Sequence, residues 1–128
     1  MSDTIIFISR NRIKEGMLDD FKKHYLDSLS PTQTNKPGTL VQLAYFNQDA
    51  TQVDIVRIFP GADALDSQLQ GADTRSKVAY QYIEPTGIEI YGAPSSYSME
   101  MFTKVAGSGI PVTIHPQFIG GFIRPGLG

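Results

Sequence analysis

Asn11 is the first of three polar residues that stand in otherwise apolar segments and could act on a small molecule. It ends the run IIFISRN and, at alternating spacing, shares a strand face with Phe7 and Ser9. An amide at that place could orient a substrate carbonyl or a peroxide through hydrogen bonds. The alternative is that Asn11 ends the strand and its side chain bonds the following turn. We treat Asn11 as a candidate catalytic residue.

His24 is the second candidate catalytic residue. It lies beside the apolar stripe of a predicted helix, close to Tyr25, and imidazole can serve as a general base near neutral pH. Alternatively, it is a partly exposed histidine late in the helix, where the helix dipole favours positive charge. The other imidazole, His115, has no second histidine or carboxylate at ligand spacing. Because a stable metal site needs three or four converging ligands, we predict none.

Arg57 places a charge inside the apolar strand VDIVRIF, on the face that it shares with Val53, Ile55 and Phe59. A guanidinium there could hold an anionic or phenolate substrate, and a salt bridge across a subunit interface would explain it equally well. Phenol side chains can stack on a flat aromatic ligand and donate one hydrogen bond each. The body has four such candidates, Tyr45, Tyr80, Tyr82 and Tyr91. We predict that most of them pack in the core or an interface, and we assign Tyr45 and Tyr82 to the ligand.

The elements that position these residues follow from apolar spacing. Strand-forming residues occupy 5–11, 39–47, 53–59 and 87–92. Helical spacing covers 17–29, where Pro31 ends the helix, and then 62–84, with a break near Gly71 and an end at Pro85. The order is βαββαβ, the ferredoxin-like α+β layout, in which two helices cover one face of an antiparallel sheet. The other face has no lid.

The C-terminal segment differs from this body, because it is rich in Gly and Pro, poor in charge and still apolar. Residues 97–106 have helical spacing, and 111–115 and 118–123 read as short extended pieces. A disordered tail would show low hydrophobicity and high charge. We therefore predict a ferredoxin-like body at 1–94 and an extension at 95–128 that docks on the body or on a partner subunit.

Composition excludes several classes of function. The net charge is −2, so no basic surplus exists to hold nucleic acid or an anionic membrane. The chain has no Cys, which removes disulfides and thiol nucleophiles. No signal peptide or long apolar run is recognisable, so we predict a cytoplasmic protein. Nucleotide-binding and hydrolase motifs are absent, and the third strand lacks the basic-glycine signature of RNA-recognition motifs, which share the βαββαβ order.

The segments NRIKEGMLDDFKKHYL and VDIVRIFPGADALDSQLQ resemble the antibiotic biosynthesis monooxygenase-like (ABM-like) dimeric α+β barrel superfamily over residues 5–92. The resemblance implies a homodimer in which two sheets pack face to face. A haem-degrading branch is similar at Asn11. That branch also needs a Trp and a His in the second helical region, and this chain has no Trp and no His between Ala62 and Pro85, so we do not predict haem degradation.

What the resemblance implies about function is a cavity for a small, flat, hydrophobic molecule. One hypothesis is a monooxygenase that needs no cofactor and acts on an aromatic or polyketide-like substrate. In that case the substrate itself reduces O₂, while the protein supplies orientation and desolvation. The alternative is a non-catalytic ligand-binding or stress-response dimer of the same fold. Both need an apolar pocket with a few polar groups.

Overall fold

A five-stranded sheet with four helices on one face forms the protein in the computed structural model, which describes residues 3–107 and 109–124. The elements are β1 (Ile5–Ile13), α1 (Leu18–Asn35), β2 (Val41–Phe46), β3 (Gln52–Phe59), α2 (Ala62–Leu69), α3 (Ala72–Ala79), β4 (Ile83–Tyr91), α4 (Ser96–Ala106) and β5 (Val112–His115). The strand order is β2-β3-β1-β4-β5. The first four strands are antiparallel, and β5 pairs parallel to β4. The predicted ferredoxin-like α+β fold is confirmed.

Alternating side chains of the strands build the core between sheet and helices. Phe7, Phe59 and Ile90 pack with Leu65 of α2 and Phe102 of α4 in one cluster. A second cluster joins Phe21 of α1 to four sheet residues, Ile13, Val53, Ile55 and Ile83. All these side chains are buried. The apolar burial on one sheet face explains why α1, α2 and α4 cover that face.

The structure corrects the predicted end of the first helix. We expected Pro31 to end it, but α1 continues to Asn35 with Pro31 inside. A proline in a helix interior removes one backbone hydrogen bond and disfavours the preceding turn. The Pro31 ring lines the cavity between the helices and the sheet. The residue that weakens the helix therefore adds apolar surface to the cavity wall. The hydroxyl of Thr32 donates to the Ser28 carbonyl in the same turn.

The fourth strand also starts earlier than predicted, at Ile83, and includes Pro85, which we expected to end a helix. Arg10 pairs with Gly87 and Asn11 with Pro85, so Thr86 is an extra residue on β4. Such a bulge tolerates a proline, which has no N–H to donate to the ladder. The bulge therefore lies directly beside Asn11.

The extension splits into a packed part and an exposed part. Helix α4 buries Met101 and Phe102, and β5 extends the sheet. The predicted extended piece 118–123 forms no strand, and its apolar side chains are exposed. Residues 125–128 of the predicted extension lie outside the described residues. In the part of the chain that is described, no helix has the length and apolar character needed to cross a bilayer.

The sheet face opposite the helices, here called the open face, has no covering layer in the described chain. Apolar side chains of β1, β2 and β3 lie on it: Ile6, Ile8, Leu43, Tyr45, Val56 and Ile58. At its centre, Arg10 forms ion pairs with Asp54 at 2.5 Å and Glu89 at 2.7 Å. The open face thus combines an apolar area with an ion-paired cluster of one arginine and two carboxylates.

Candidate functional site

A cavity of about 430 Å³ lies between the helices and the sheet. We call it the helix-sheet cavity. Apolar side chains form most of its wall, including Phe7, Ile55, Leu69, Met101 and Phe102. Polar groups enter from β1, α1, β2, β3 and the segment after α3, namely Asn11, His24, Tyr25, Gln42, Arg57 and Tyr80. An apolar cavity with a few converging polar groups is the usual form of a small-molecule site.

Asn11 lies where its alternation predicted, on the cavity face with Phe7 and Ser9, and is only 3% exposed. Its Nδ2 donates to Ser9 Oγ at 2.9 Å, to the Ser9 carbonyl at 3.3 Å and to the Val53 carbonyl at 3.4 Å. Backbone carbonyls only accept hydrogen bonds, so these contacts fix the amide orientation. Its Oδ1 has no partner among the described residues. Asn11 therefore offers a ligand an acceptor, and its donor is already used by the protein.

Arg57 also lines the cavity, opposite Phe7 in the β1–β3 ladder. Its Nε donates to Gln42 Oε1 at 3.0 Å, and its guanidinium lies 5.7 Å from the centre of the Phe7 ring. Burial lowers the pKa of Arg57 to about 10, since desolvation disfavours the charged form. Among the described residues, no carboxylate forms an ion pair with it. The two terminal nitrogens have no hydrogen bond and are not sealed off from the cavity.

His24 reaches the cavity from α1. Its ring contacts Tyr82, with 5.3 Å between ring centres, and the structure gives it no hydrogen bond within the described residues. Tyr82 itself does not line the cavity and packs against the Phe21 cluster. The structure thus brings His24 to the cavity wall and places Tyr82 behind it, as a support for the imidazole ring.

Tyr45 lies away from this site. It is on the open face, 64% exposed, and pairs with Asp54 across the β2–β3 ladder. Because side chains alternate between faces along a strand, Gln42 rather than Tyr45 points from β2 to the cavity side. Tyr45 is therefore not part of the cavity wall.

Three cavity residues were absent from the predicted site: Tyr25, Gln42 and Tyr80. Gln42 Nε2 approaches the Tyr25 hydroxyl at 3.5 Å, while its Oε1 accepts from Arg57. Burial raises the pKa of Tyr80, against the lowering effects of Ser76 and Arg57, so this phenol keeps its proton near neutral pH. A signal was available for Gln42, which is the polar residue opposite Arg57 in the β2–β3 register.

Two further arginines line the cavity. Arg10 is paired with Asp54 and Glu89, and Arg75 is engaged by the backbone. It donates from Nη1 to the Gln70 carbonyl at 2.8 Å and from Nη2 to the Gln68 carbonyl. Lys36 donates to the Ser67 carbonyl at 2.6 Å. Arg75 and Lys36 thereby donate to carbonyls at the C-terminal end of α2, and burial lowers the pKa of each.

The charge balance of the cavity is therefore positive. None of the described residues that line it is Asp or Glu. Within the described chain, no group of three His, Cys, Asp or Glu side chains could hold a metal ion. What the arrangement offers a ligand is a free guanidinium edge, two phenol groups, one amide acceptor and an imidazole.

Comparison with solved structures places this geometry on a known fold. MupZ from Pseudomonas fluorescens is similar over 100% of this chain and 94% of its own, with a TM-score of 0.74 and 20% identity. SnoaB from Streptomyces nogalater, a cofactor-independent oxygenase, matches 74% of this chain and 97% of its own, with a TM-score of 0.60 and 13% identity. A candidate antibiotic biosynthesis monooxygenase from Bacteroides thetaiotaomicron covers 73% and 90%, with a TM-score of 0.58 and 16% identity.

At these identities the likeness establishes the fold. No protein-family model matches the chain, and no curated protein sequence matches it. The fold is that of the ABM-like proteins, as the resemblance in the sequence implied.

Proposed function

We propose that this chain, which has the fold of the ABM-like proteins, binds a small, flat, hydrophobic molecule in the helix-sheet cavity. The observation that supports the proposal is the cavity itself. It has about 430 Å³ of space, and its mostly apolar wall holds polar groups at few and defined places. Aromatic side chains such as Phe7 and Tyr25 line it and can stack on a flat ligand.

The proposed activity is monooxygenation of a phenolic substrate by O₂ without a cofactor. The structural neighbour SnoaB is a cofactor-independent oxygenase. The substrate supplies all four electrons that reduce O₂. A ring carbon bonds to one oxygen atom, the O–O bond breaks, two hydrogens leave the substrate, and the second oxygen atom departs as water. His24 would take the phenol proton, and Arg57 would hold an anionic group of the substrate. Asn11 would accept a hydrogen bond from a second hydroxyl, because its Nδ2 is occupied.

A homodimer through the open face completes the proposal. The face exposes apolar side chains, including Leu43 at 47%. Burial of such a surface against a second copy would remove it from water, and a two-fold axis makes the same patch serve both subunits. The cluster of Arg10, Asp54 and Glu89 lies within this patch, and Arg10 forms an ion pair with each carboxylate. A cytoplasmic location remains a prediction.

One observation favours the second candidate, a protein that only sequesters its ligand. A general base is normally oriented by a third group. His24 contacts the Tyr82 ring but has no hydrogen bond among the described residues. An imidazole without such a partner suits ligand packing as well as proton transfer.

Oxygen consumption and isotope incorporation separate the two candidates. With 1,5-dihydroxynaphthalene as probe and ¹⁸O₂ as gas, monooxygenation adds one labelled atom to the quinone product and releases one labelled water. We expect His24→Ala to lower the rate about a hundredfold and Asn11→Ala about tenfold. Lys23→Ala is the matched control, since Lys23 is exposed on the same helix and should keep the wild-type rate.

The outcomes are distinct. Probe binding without oxygen uptake would favour sequestration. Turnover that is unchanged in both Asn11→Ala and His24→Ala would show that the catalytic assignment is wrong.

A further inference from the structure

We propose that the natural ligand has a carboxylate, and that Arg57 binds it at the β2–β3 side of the helix-sheet cavity. The inference rests on the proposed ligand-binding function and specifies the class of ligand. It is a statement about the charged group of the molecule, and it would hold for a substrate or for a sequestered compound.

Arg57 is half-buried in an apolar wall and has no counter-ion among the described residues. Its single hydrogen bond, from Nε to Gln42, leaves the terminal edge of the guanidinium unused. No Asp or Glu lines the cavity among the described residues. A charge in such a place is costly unless it is paired, so a ligand anion is the partner that would offset the cost.

The partners of the other cations indicate which kind of anion the ligand has. Arg75 lines the same cavity, but both of its terminal nitrogens donate to backbone carbonyls. Lys36 donates to backbone carbonyls as well. Arg10 also lines the cavity and is paired with Asp54 and Glu89. Among these cations Arg57 alone keeps its terminal nitrogens free, and one free guanidinium edge matches one carboxylate. A phosphate would bring further acceptor oxygens without a second free guanidinium.

The free edge of the Arg57 guanidinium matches a carboxylate in its geometry. Because Gln42 occupies Nε, the guanidinium presents its two terminal nitrogens side by side. Two parallel N–H donors match the two oxygens of a carboxylate in the bidentate arrangement, whereas a phenolate has one oxygen. The Tyr25 hydroxyl lies 3.5 Å from Nε2 of Gln42, the residue that accepts from Arg57, and Tyr80 lines the same cavity. Each can donate one further hydrogen bond to an anion.

The cavity wall around the Arg57 guanidinium is apolar. Phe7 lies under the guanidinium, and Leu69, Met101 and Phe102 continue the apolar surface. Asn11 lies on the same face as Phe7, four residues further along β1 and about 13 Å away at the usual strand rise. The cavity thus suits a mainly hydrocarbon ligand with its acid group at Arg57.

The test compares two probes of the same shape and different charge. Anthracene-2-carboxylate and anthracene-2-carboxamide are titrated into the wild-type protein and followed by probe fluorescence. We expect the carboxylate to bind at least about tenfold more tightly, the effect of a charge-assisted hydrogen-bond pair. In Arg57→Gln this preference should disappear while amide binding is kept, and Arg57→Lys should restore part of it. Arg12→Gln, on the open face, should bind as wild type does.

Each outcome decides between the two proposals. Equal binding of both probes by the wild-type protein overturns the carboxylate inference and leaves the cavity as a ligand site. A preference that survives in a folded Arg57→Gln protein also overturns it, because another group then holds the acid. Failure of the wild-type protein to bind either probe, and the smaller naphthalene-2-carboxylate as well, contradicts the ligand-binding function itself. The wild-type comparison does not depend on the folding of any variant.

Discussion

Replacing Arg57 by Met should make the ligand-free protein more stable. The guanidinium is in an apolar wall without a carboxylate partner, and burial lowers its pKa to about 10. A lowering of this size corresponds to about 3 kcal/mol of penalty for holding the charge in the folded state. Met is of similar length and flexible enough to fill the space. The lost bond to Gln42 and the contact with Phe7 together offset about 1–2 kcal/mol, so the net gain is about 1–2 kcal/mol.

The pH dependence follows from the sign of the shift. The folded-state pKa lies below the unfolded-state pKa, so the unfolded chain binds the proton more tightly. The penalty is complete below pH 10 and fades only as the pH rises towards the ordinary arginine pKa. The stability gain of Arg57→Met should therefore be the same at pH 6 and at pH 8.

Urea denaturation followed by circular dichroism measures this gain as a shift in the midpoint at unchanged slope, at one protein concentration throughout. Arg12→Met is the matched control, because Arg12 is exposed on the open face and pairs with Glu84; its effect should stay within about 0.5 kcal/mol. A clear loss of stability in Arg57→Met would refute the reasoning. It would show that the contacts of the guanidinium with Gln42 and Phe7 outweigh its desolvation penalty.

Three further predictions concern other parts of the molecule. Asn11→Leu should weaken the binding of a hydroxylated naphthalene about tenfold more than the binding of naphthalene itself, because the substitution removes the free acceptor Oδ1. Isothermal titration calorimetry measures both affinities. Truncation after Gln117 should shift a dimer towards monomer in analytical ultracentrifugation, since it removes exposed apolar side chains; an unchanged equilibrium would contradict docking on a partner. Asp66→Ala should cost about 1–3 kcal/mol in urea, because Asp66 accepts from the hydroxyls of Ser95 and Ser98 at 2.6 Å, whereas the exposed Asp63→Ala should cost little.

The fold was predictable because its elements differ in apolar period. Strand alternation in VDIVRIF and helical spacing in the segment with Phe21 and Tyr25 are separate signals, and both elements are present. The boundaries near prolines were not predictable from local rules. Pro31 continues a helix and Pro85 enters a strand at a bulge, and in both cases tertiary packing outweighs a local preference.

The site residues that lie on strands were predictable, because alternation fixes which face of the sheet each side chain occupies. Alternation alone put Asn11 and Arg57 on the cavity side. Tyr25 and Tyr80 were missed as ligand contacts, because an aromatic residue in an apolar stripe has the same pattern whether it fills the core or lines a cavity. The acceptor role of Asn11 depends on the Val53 carbonyl, which comes near only through strand pairing and leaves no trace in the sequence.

The central position of β1 has a consequence for synthesis of the protein on the ribosome. Ile5 pairs with Phe59 on one side, and Ile6 pairs with Tyr91 on the other. The first strand to leave the exit tunnel therefore waits for most of the body before both of its edges are paired. During that interval its apolar run IIFI is exposed on a strand with free edges, a form prone to pairing with other chains. Nascent chains that stop before β4 should thus be the ones that chaperones hold longest.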